Sequence, residues 1–347
     1  MCDAAFEDED CNGQANESPP CETFRSITGG ADYSCGISEG GRVLCWGANG
    51  GGQLGDGTLL DRSVPTEVIG LGTDTRSIAT GQDTTCAVSN AGNVSCWGQQ
   101  LHWVQGGMSG SSVTPVPATL FPPVLALAIG GGGACAILPD HTLACSDPFL
   151  PGLGVVGIAP VAGFEGIQEI AKGQVGVCGL MDDGSVRCWS GVPGEAPVAV
   201  PGLTGAVHSS GDTRAACAVI ADASVSCWGL SEGYSGLGEA AKPAPLELVT
   251  VPGVSAAVEV FTDVFSGCAL SGGGTVQCWG FGDEGEFARI AALQGVDLLA
   301  STSLGDRVFV RIPSGEVLGF SPANRGAHPK NGNPTVDGYG PYRLMGP

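Results

Sequence analysis

The chain carries fifteen cysteines in 347 residues, and their spacing decides what chemistry they do. Structural and catalytic metals are held by closely spaced cysteine pairs, usually with histidines nearby. No such pair occurs here, and His102, His141, His208 and His328 are scattered. Instead, six pairs share one separation of ten: Cys35–Cys45, Cys86–Cys96, Cys135–Cys145, Cys178–Cys188, Cys217–Cys227 and Cys268–Cys278. In "CAVSNAGNVSCWG", from Cys86, the two ends read as short strands with Asn90, Ala91 and Gly92 at the tip between them. A hairpin loop of this size needs a left-handed last residue, and Gly41, Gly92, Gly184 and Gly274 hold that place in four repeats. His141 and Ala223 stand there in the other two, so those turns are expected to differ. The register makes the cysteines a non-hydrogen-bonded cross-strand pair about 4.5 Å apart at Cα. Each bridge then stabilises by roughly 2–3 kcal/mol on the loop-entropy model. With twelve cysteines so paired, Cys11–Cys21 forms a seventh disulfide and Cys2 is left over.

Other residue types suggest binding or catalysis. "DEDCNG", from Asp8 to Gly13, opens like a calcium loop: Asp8, Asp10 and Asn12 supply hard oxygen ligands and Gly13 the sharp turn. Pro19 stands where the bidentate glutamate of such a loop would be, so the expectation is no cofactor, with calcium at this loop the alternative to a plain acidic, solvated tether. His102, Trp103 and Met108 lie off-repeat in "QQLHWVQGGMSGSS", where a loop-borne aromatic makes a contact anchor for a partner. Asp283, Glu284 and Glu286 cluster in "GFGDEGEF", and paired carboxylates can cleave glycosides. Only Phe281 and Phe287 flank them, and the chain has no G-x-S-x-G nucleophile elbow, so no catalytic residue is assigned. Cys2 followed by Asp3 fits the lipid-modified first residue of a mature bacterial lipoprotein, with an acidic tether behind it.

These residues need elements to carry them, and composition says which. Glycine is abundant at 59, proline numbers 23 and charged residues make up 14%, a mix that suits short strands and tight turns. A net charge of −21 argues against nucleic acid and against docking on an anionic membrane. No apolar run is long enough for a membrane span, and the disulfides call for an oxidising compartment. A seventh unit, "FVRIPSGEVLGF", lacks the staple: Phe309 and Gly319 take the cysteine places, Gly315 the turn and Phe320 the tryptophan place. Successive units begin 39 to 51 residues apart, the length of a four-stranded propeller blade. The reading is an all-β, seven-bladed β-propeller over 23–347, about four antiparallel strands per blade, behind an acidic tether at 1–22. The chain ends, "PTVDG" at Pro334 and "FRSITGG" at Phe24, are expected to share one blade and fasten the ring. Trp46, Trp97, Trp189, Trp228 and Trp279, each directly after a second cysteine, are expected to wedge between blades.

The stretch "GADYSCGISEGGRVLCWGANGGGQLGDGT" followed by "PTEVIGL" resembles the regulator of chromosome condensation repeat family. The resemblance implies a seven-bladed propeller. The family usually carries a histidine two residues before the first cysteine position, a place held here by Tyr33, Thr84, Gly133, Gly176, Ala215 and Ser266. The disulfides and acidic charge point to the family's bacterial extracellular branch rather than to a nuclear, chromatin-bound exchange factor. The expected function is a secreted or envelope-anchored monomeric scaffold that binds a protein or glycan partner through the face bearing the insertions at 99–115 and 230–244. The alternatives are an extracellular hydrolase or lyase at the channel mouth and a calcium-tuned adhesive module. Non-reducing peptide mapping should recover each cystine within a single repeat; a link between repeats would overturn the blade register.

Overall fold

A computed structural model describes residues 23–99, 101, 110–130, 133–146, 158–172, 176–191, 195–211, 215–229, 246–262, 267–279, 288–289, 295–301, 308–311, 317–320 and 342–343. The tether, with Cys2, Asp8, Asp10, Asn12 and Cys11–Cys21, lies outside these residues. So do His102, Trp103, Met108, Asp283, Glu284 and Glu286.

The first repeat folds as β1 (Phe24–Gly29), β2 (Tyr33–Ser38), β3 (Val43–Gly47) and β4 (Arg62–Glu67), an antiparallel sheet with strands in chain order. Six further four-stranded sheets follow the same order, opening on β5 (Thr75–Thr80), β9 (Ala126–Gly130), β13 (Ile167–Lys172), β17 (Ala206–Gly211), β21 (Ala257–Thr262) and β25 (Leu298–Ser301). These opening strands pack against one another in sequence, and β1 packs against β25, which closes the circle. The architecture is an all-β propeller of antiparallel four-stranded blades. Six blades carry the disulfide hairpin. The last sheet is unstapled, and in it Phe309 faces Gly319 and Val308 faces Phe320, the alignment expected from sequence.

Each of the six cysteine pairs is directly opposed across its hairpin and bridged, with Cα separations of 4.0–4.1 Å, shorter than the expected spacing. At the second hairpin tip, Val88 faces Val94 and Gly92 N donates to Ser89 O at 2.9 Å, with Gly92 at φ 86°. The turns expected to differ do not. His141 and Ala223 adopt φ 58° and 64°, the same left-handed geometry, closed by the same turn bonds, from His141 N to Leu138 O and from Ala223 N to Ile220 O. Gly166 N and Ile167 N donate to His141 O, and Ala257 N donates to Ala223 O at 3.0 Å.

Four of the five tryptophans expected to wedge between blades do so, and Trp46 lies 5.6 Å from Phe24 of its own blade. Trp97 packs with Tyr33, Cys35 and Cys45 of the preceding blade. Trp189 sits on Cys135 and Cys145, Trp228 on Cys178 and Cys188, and Trp279 on Cys217 and Cys227. All four are at most 5% exposed, so each contributes the burial of a large aromatic, about 3–5 kcal/mol on truncation to alanine.

The expected sharing of one blade between the chain ends is not what the structure has. Both the first and the last sheet are built from contiguous chain, the last ending in Val308–Arg311, Val317–Phe320 and Tyr342–Arg343. The chain enters at an innermost strand and finishes at an outermost one, so the join falls between blades. Arg311 spans that join: it pairs with Asp297 of its own sheet at 2.8 Å and with Glu39 of the first blade at 2.9 Å, and it also donates to Phe24 O.

An alanine held left-handed costs more than a glycine there, partly offset by glycine's greater unfolded-state freedom. Ala223→Gly should therefore raise stability by about 0.5–1 kcal/mol in urea unfolding; an unchanged or lower midpoint would contradict the strained turn.

Candidate functional site

Strand order assigns the loops to two faces. Connections between the second and third strands, and from blade to blade, lie on one face; the loops after first and third strands lie on the other. The insertions at 99–115 and 230–244 follow third strands in the sequence, and most of their residues lie outside those described. In the first blade the equivalent loop, 48–61, is fully described and gives this face a defined surface.

That loop has no regular secondary structure, and buried polar groups hold it. The Asn49 amide nitrogen lies 3.0–3.1 Å from Leu60 O, Thr58 O and Asp56 Oδ1, while Asn49 Oδ1 accepts from Leu54 N at 3.0 Å. Asp61 Oδ1 accepts from Asn49 N at 2.8 Å. Asp56 accepts from Thr58 N and Oγ1 and from Arg62 Nε, the last at 2.7 Å. Burial pushes the Asp56 carboxyl up, but the hydrogen bonds from Thr58, Arg62 and Asn49 outweigh it and hold the group below its ordinary range. Asp56 is thus an anion fixed inside a loop.

The loop is locked to the second blade as well. Gln53 O accepts from Trp97 Nε1 at 2.8 Å and lies 2.9 Å from Thr85 Oγ1. Thr85 Oγ1 is also 2.9 Å from the Tyr33 hydroxyl, and its single proton serves one or the other. Tyr33 donates to Thr84 O at 2.7 Å, and burial raises its phenol well above the usual value, so it stays a neutral donor. Tyr33 therefore ties the first blade to the second. Gly55 permits the approach: a Cβ there would come within 2.7 Å of Trp97 Nε1, and its φ is +69°.

The frame presents Leu59 and Leu60, which are 58% and 64% exposed and lie between the backbone groups that Asn49 holds. Sequence reading passed over them. The signal was the "GQLGDGT" element: each of its polar residues has a partner inside the loop, so the leucines after it stand on a rigid base.

Among the described residues no group of three or more His, Cys, Asp or Glu is placed to hold a metal, and no helix is long and apolar enough to cross a membrane.

The class defined by this geometry is a β-propeller with disulfide-stapled blades. Family models for the regulator of chromosome condensation (RCC1) repeat match residues 24–53 and 40–88. The RCC1 domain-containing protein RUG3, mitochondrial, of Arabidopsis thaliana is 35% identical over 94 residues, 26% of this chain and 21% of that protein. The match thus spans about a fifth of that relative's length. Among solved structures, yeast RCC1 (Prp20) bound to Kap60 superposes with a TM-score of 0.67 at 16% identity, over 86% of this chain and 80% of that one. Human WBSCR16 superposes with a TM-score of 0.68 at 17% identity, over 88% and 95%. At these identities the likeness is one of fold.

Asp56 has a folded pKa below its unfolded one, so its contribution is complete above about pH 4 and fades as pH falls through the lower folded value. The stability gap between the wild type and Asp56→Asn, measured by urea unfolding, should narrow from about pH 5 to about pH 2. A constant gap would mean that Asp56 is not held as a bound anion.

Proposed function

We propose that the protein is a binding scaffold that engages a macromolecular partner through the face carrying the third-strand loops, with Leu59 and Leu60 as an anchor. The observation that carries this reading is a pair of exposed leucines on backbone fixed by buried hydrogen bonds. A loop whose backbone is already held loses little freedom on docking, so more of the leucines' burial remains as affinity. An apolar anchor of this kind favours a protein over a glycan. Yeast RCC1 (Prp20), whose fold is similar, has been solved bound to Kap60.

Six buried disulfides support an oxidising location, secreted or held in a cell envelope. In this proposal the last sheet is the seventh blade that completes the ring, and residues 1–22 are its tether, with a lipid at Cys2 and calcium at Asp8, Asp10 and Asn12 as the parts to test.

The experiment is affinity capture from envelope and culture-medium fractions with oxidised wild type and with the Leu59→Ser/Leu60→Ser double variant. Both leucines are exposed, so the two proteins should melt at the same temperature. The wild type should retain a stoichiometric partner that the variant loses; capture by both, or by neither, would overturn the reading.

A further inference from the structure

Three asparagines lie among the described residues, and two of them are used in building the fold. The Asn49 carboxamide is buried and holds the first-blade loop together, and Asn90 Nδ2 donates to Asp74 Oδ1 at 2.7 Å. Asn93 is different. It is exposed, and among the described residues its carboxamide makes no hydrogen bond. Its backbone, by contrast, is held at both polar groups: Asn93 N donates to Ser89 Oγ at 3.1 Å, and Asn93 O accepts from Ser89 N at 2.9 Å. A free carboxamide therefore stands at a fixed point on the tip of the second hairpin.

The residues after it complete a pattern with chemical meaning. Asn93, Val94 and Ser95 read N-x-S with no proline in the middle, the acceptor sequence for a glycan on the asparagine nitrogen. Val94 and Ser95 open β7 (Val94–Gly98). Side chains alternate along a strand, so Asn93 and Ser95 share one side while Val94, 5% exposed, turns into the core. Two further triplets of this form exist in the chain. Asn16-Glu17-Ser18 lies outside the described residues, and Asn333-Pro334-Thr335 is excluded by its proline.

The equivalent place in the other stapled hairpins is held by Arg42, Thr142, Ser185, Ser224 and Thr275. Thr142 folds back on its own turn, its Oγ1 donating to Asp140 Oδ1 at 2.7 Å. Arg42 is exposed and reaches Glu67 Oε2 at 3.4 Å, so a long substituent leaves this place along the blade's own outer strand. Asn93 alone combines exposure, a free amide nitrogen and a hydroxyl two residues on.

We infer that Asn93 is a site of N-linked glycosylation. The inference rests on the oxidising location proposed above, since acceptor asparagines of this kind belong to surface loops of secreted proteins. The donor is a saccharide carried on pyrophosphate. Asn93 Nδ2 bonds to its anomeric carbon as the bond from that carbon to the pyrophosphate oxygen breaks. The pyrophosphate carrier leaves with the electron pair, and the displaced amide proton passes to a base of the transferase. The second hairpin tip lies on the face opposite the third-strand loops, so a glycan there leaves Leu59 and Leu60 clear for a partner.

The experiment is peptide mapping of the protein purified from its source, by mass spectrometry with electron-transfer fragmentation, which keeps a sugar on its residue. A saccharide mass should appear on Asn93. Asn93→Gln and Ser95→Ala should each abolish it, and Ser95→Thr, which keeps the hydroxyl, should retain it. All three side chains lie on the surface side of the strand, so each variant should fold with its cystines intact. An unmodified Asn93 in protein whose six cystines are formed would overturn the site and leave the oxidising location standing. Free thiols at those cysteines would overturn the location itself, and the site with it. A saccharide confined to Asn16, or one on Asn93 that survives Ser95→Ala, would equally overturn the assignment.

Discussion

Everything in this molecule rests on a tryptophan of one blade lying against the stapled hairpin of the blade before it. The disulfide makes that hairpin a fixed surface, and the indole covers it with a large buried area. Where one half of the pair is missing, the seam is built differently. The third blade has Ser146 in place of the tryptophan; its hydroxyl accepts from Ala134 N at 2.8 Å, and Leu101, Ala134 and Ala136 fill the space over the second staple. The first blade follows the unstapled sheet, and there Trp46 lies 5.6 Å from Phe24 of its own blade while Arg311 makes the link between sheets. Apolar wedging serves most seams, and charge pairing serves the one where the ends meet.

Rigid seams leave the two faces free to diverge. On the third-strand side, loop length varies greatly between blades, and the first blade spends its polar residues on holding two leucines outward. On the hairpin-tip side, the six described turns share one left-handed geometry. Asp140, Asp183 and Asp222 show how little those turns change: each accepts the backbone N–H two residues on, and each carboxyl is held below its usual range chiefly by hydrogen bonding from that residue, Thr142, Ser185 or Ser224.

The hairpins could be read in the sequence because a period of two and a fixed cysteine spacing leave one register. Phe309 and Gly319 were placed correctly for the same reason, without any sulfur. The ring join could not be read. The motif defines the middle two strands of a blade and does not say which outer strand comes first in the chain, so sharing a blade and meeting between blades look alike. The left-handed turns at His141 and Ala223 were missed because the hairpin's own register and turn bond impose that geometry whichever residue stands there. Asn49, Asp56 and Arg62 stand in a glycine-rich stretch with no period at all, so nothing local showed that they face one another.

The six bridges in the described residues all join residues ten apart, and none links one blade to another. During vectorial emergence of the chain, each first cysteine meets its correct partner before any cysteine of the next repeat has appeared. Oxidation can therefore keep pace with synthesis or export and needs no later reshuffling of mispaired thiols. The circle, by contrast, cannot close until Arg311 arrives at Glu39, 272 residues later. Sulfur chemistry is thus finished locally and early, and the last folding event is a non-covalent one, reversible without breaking a single bridge.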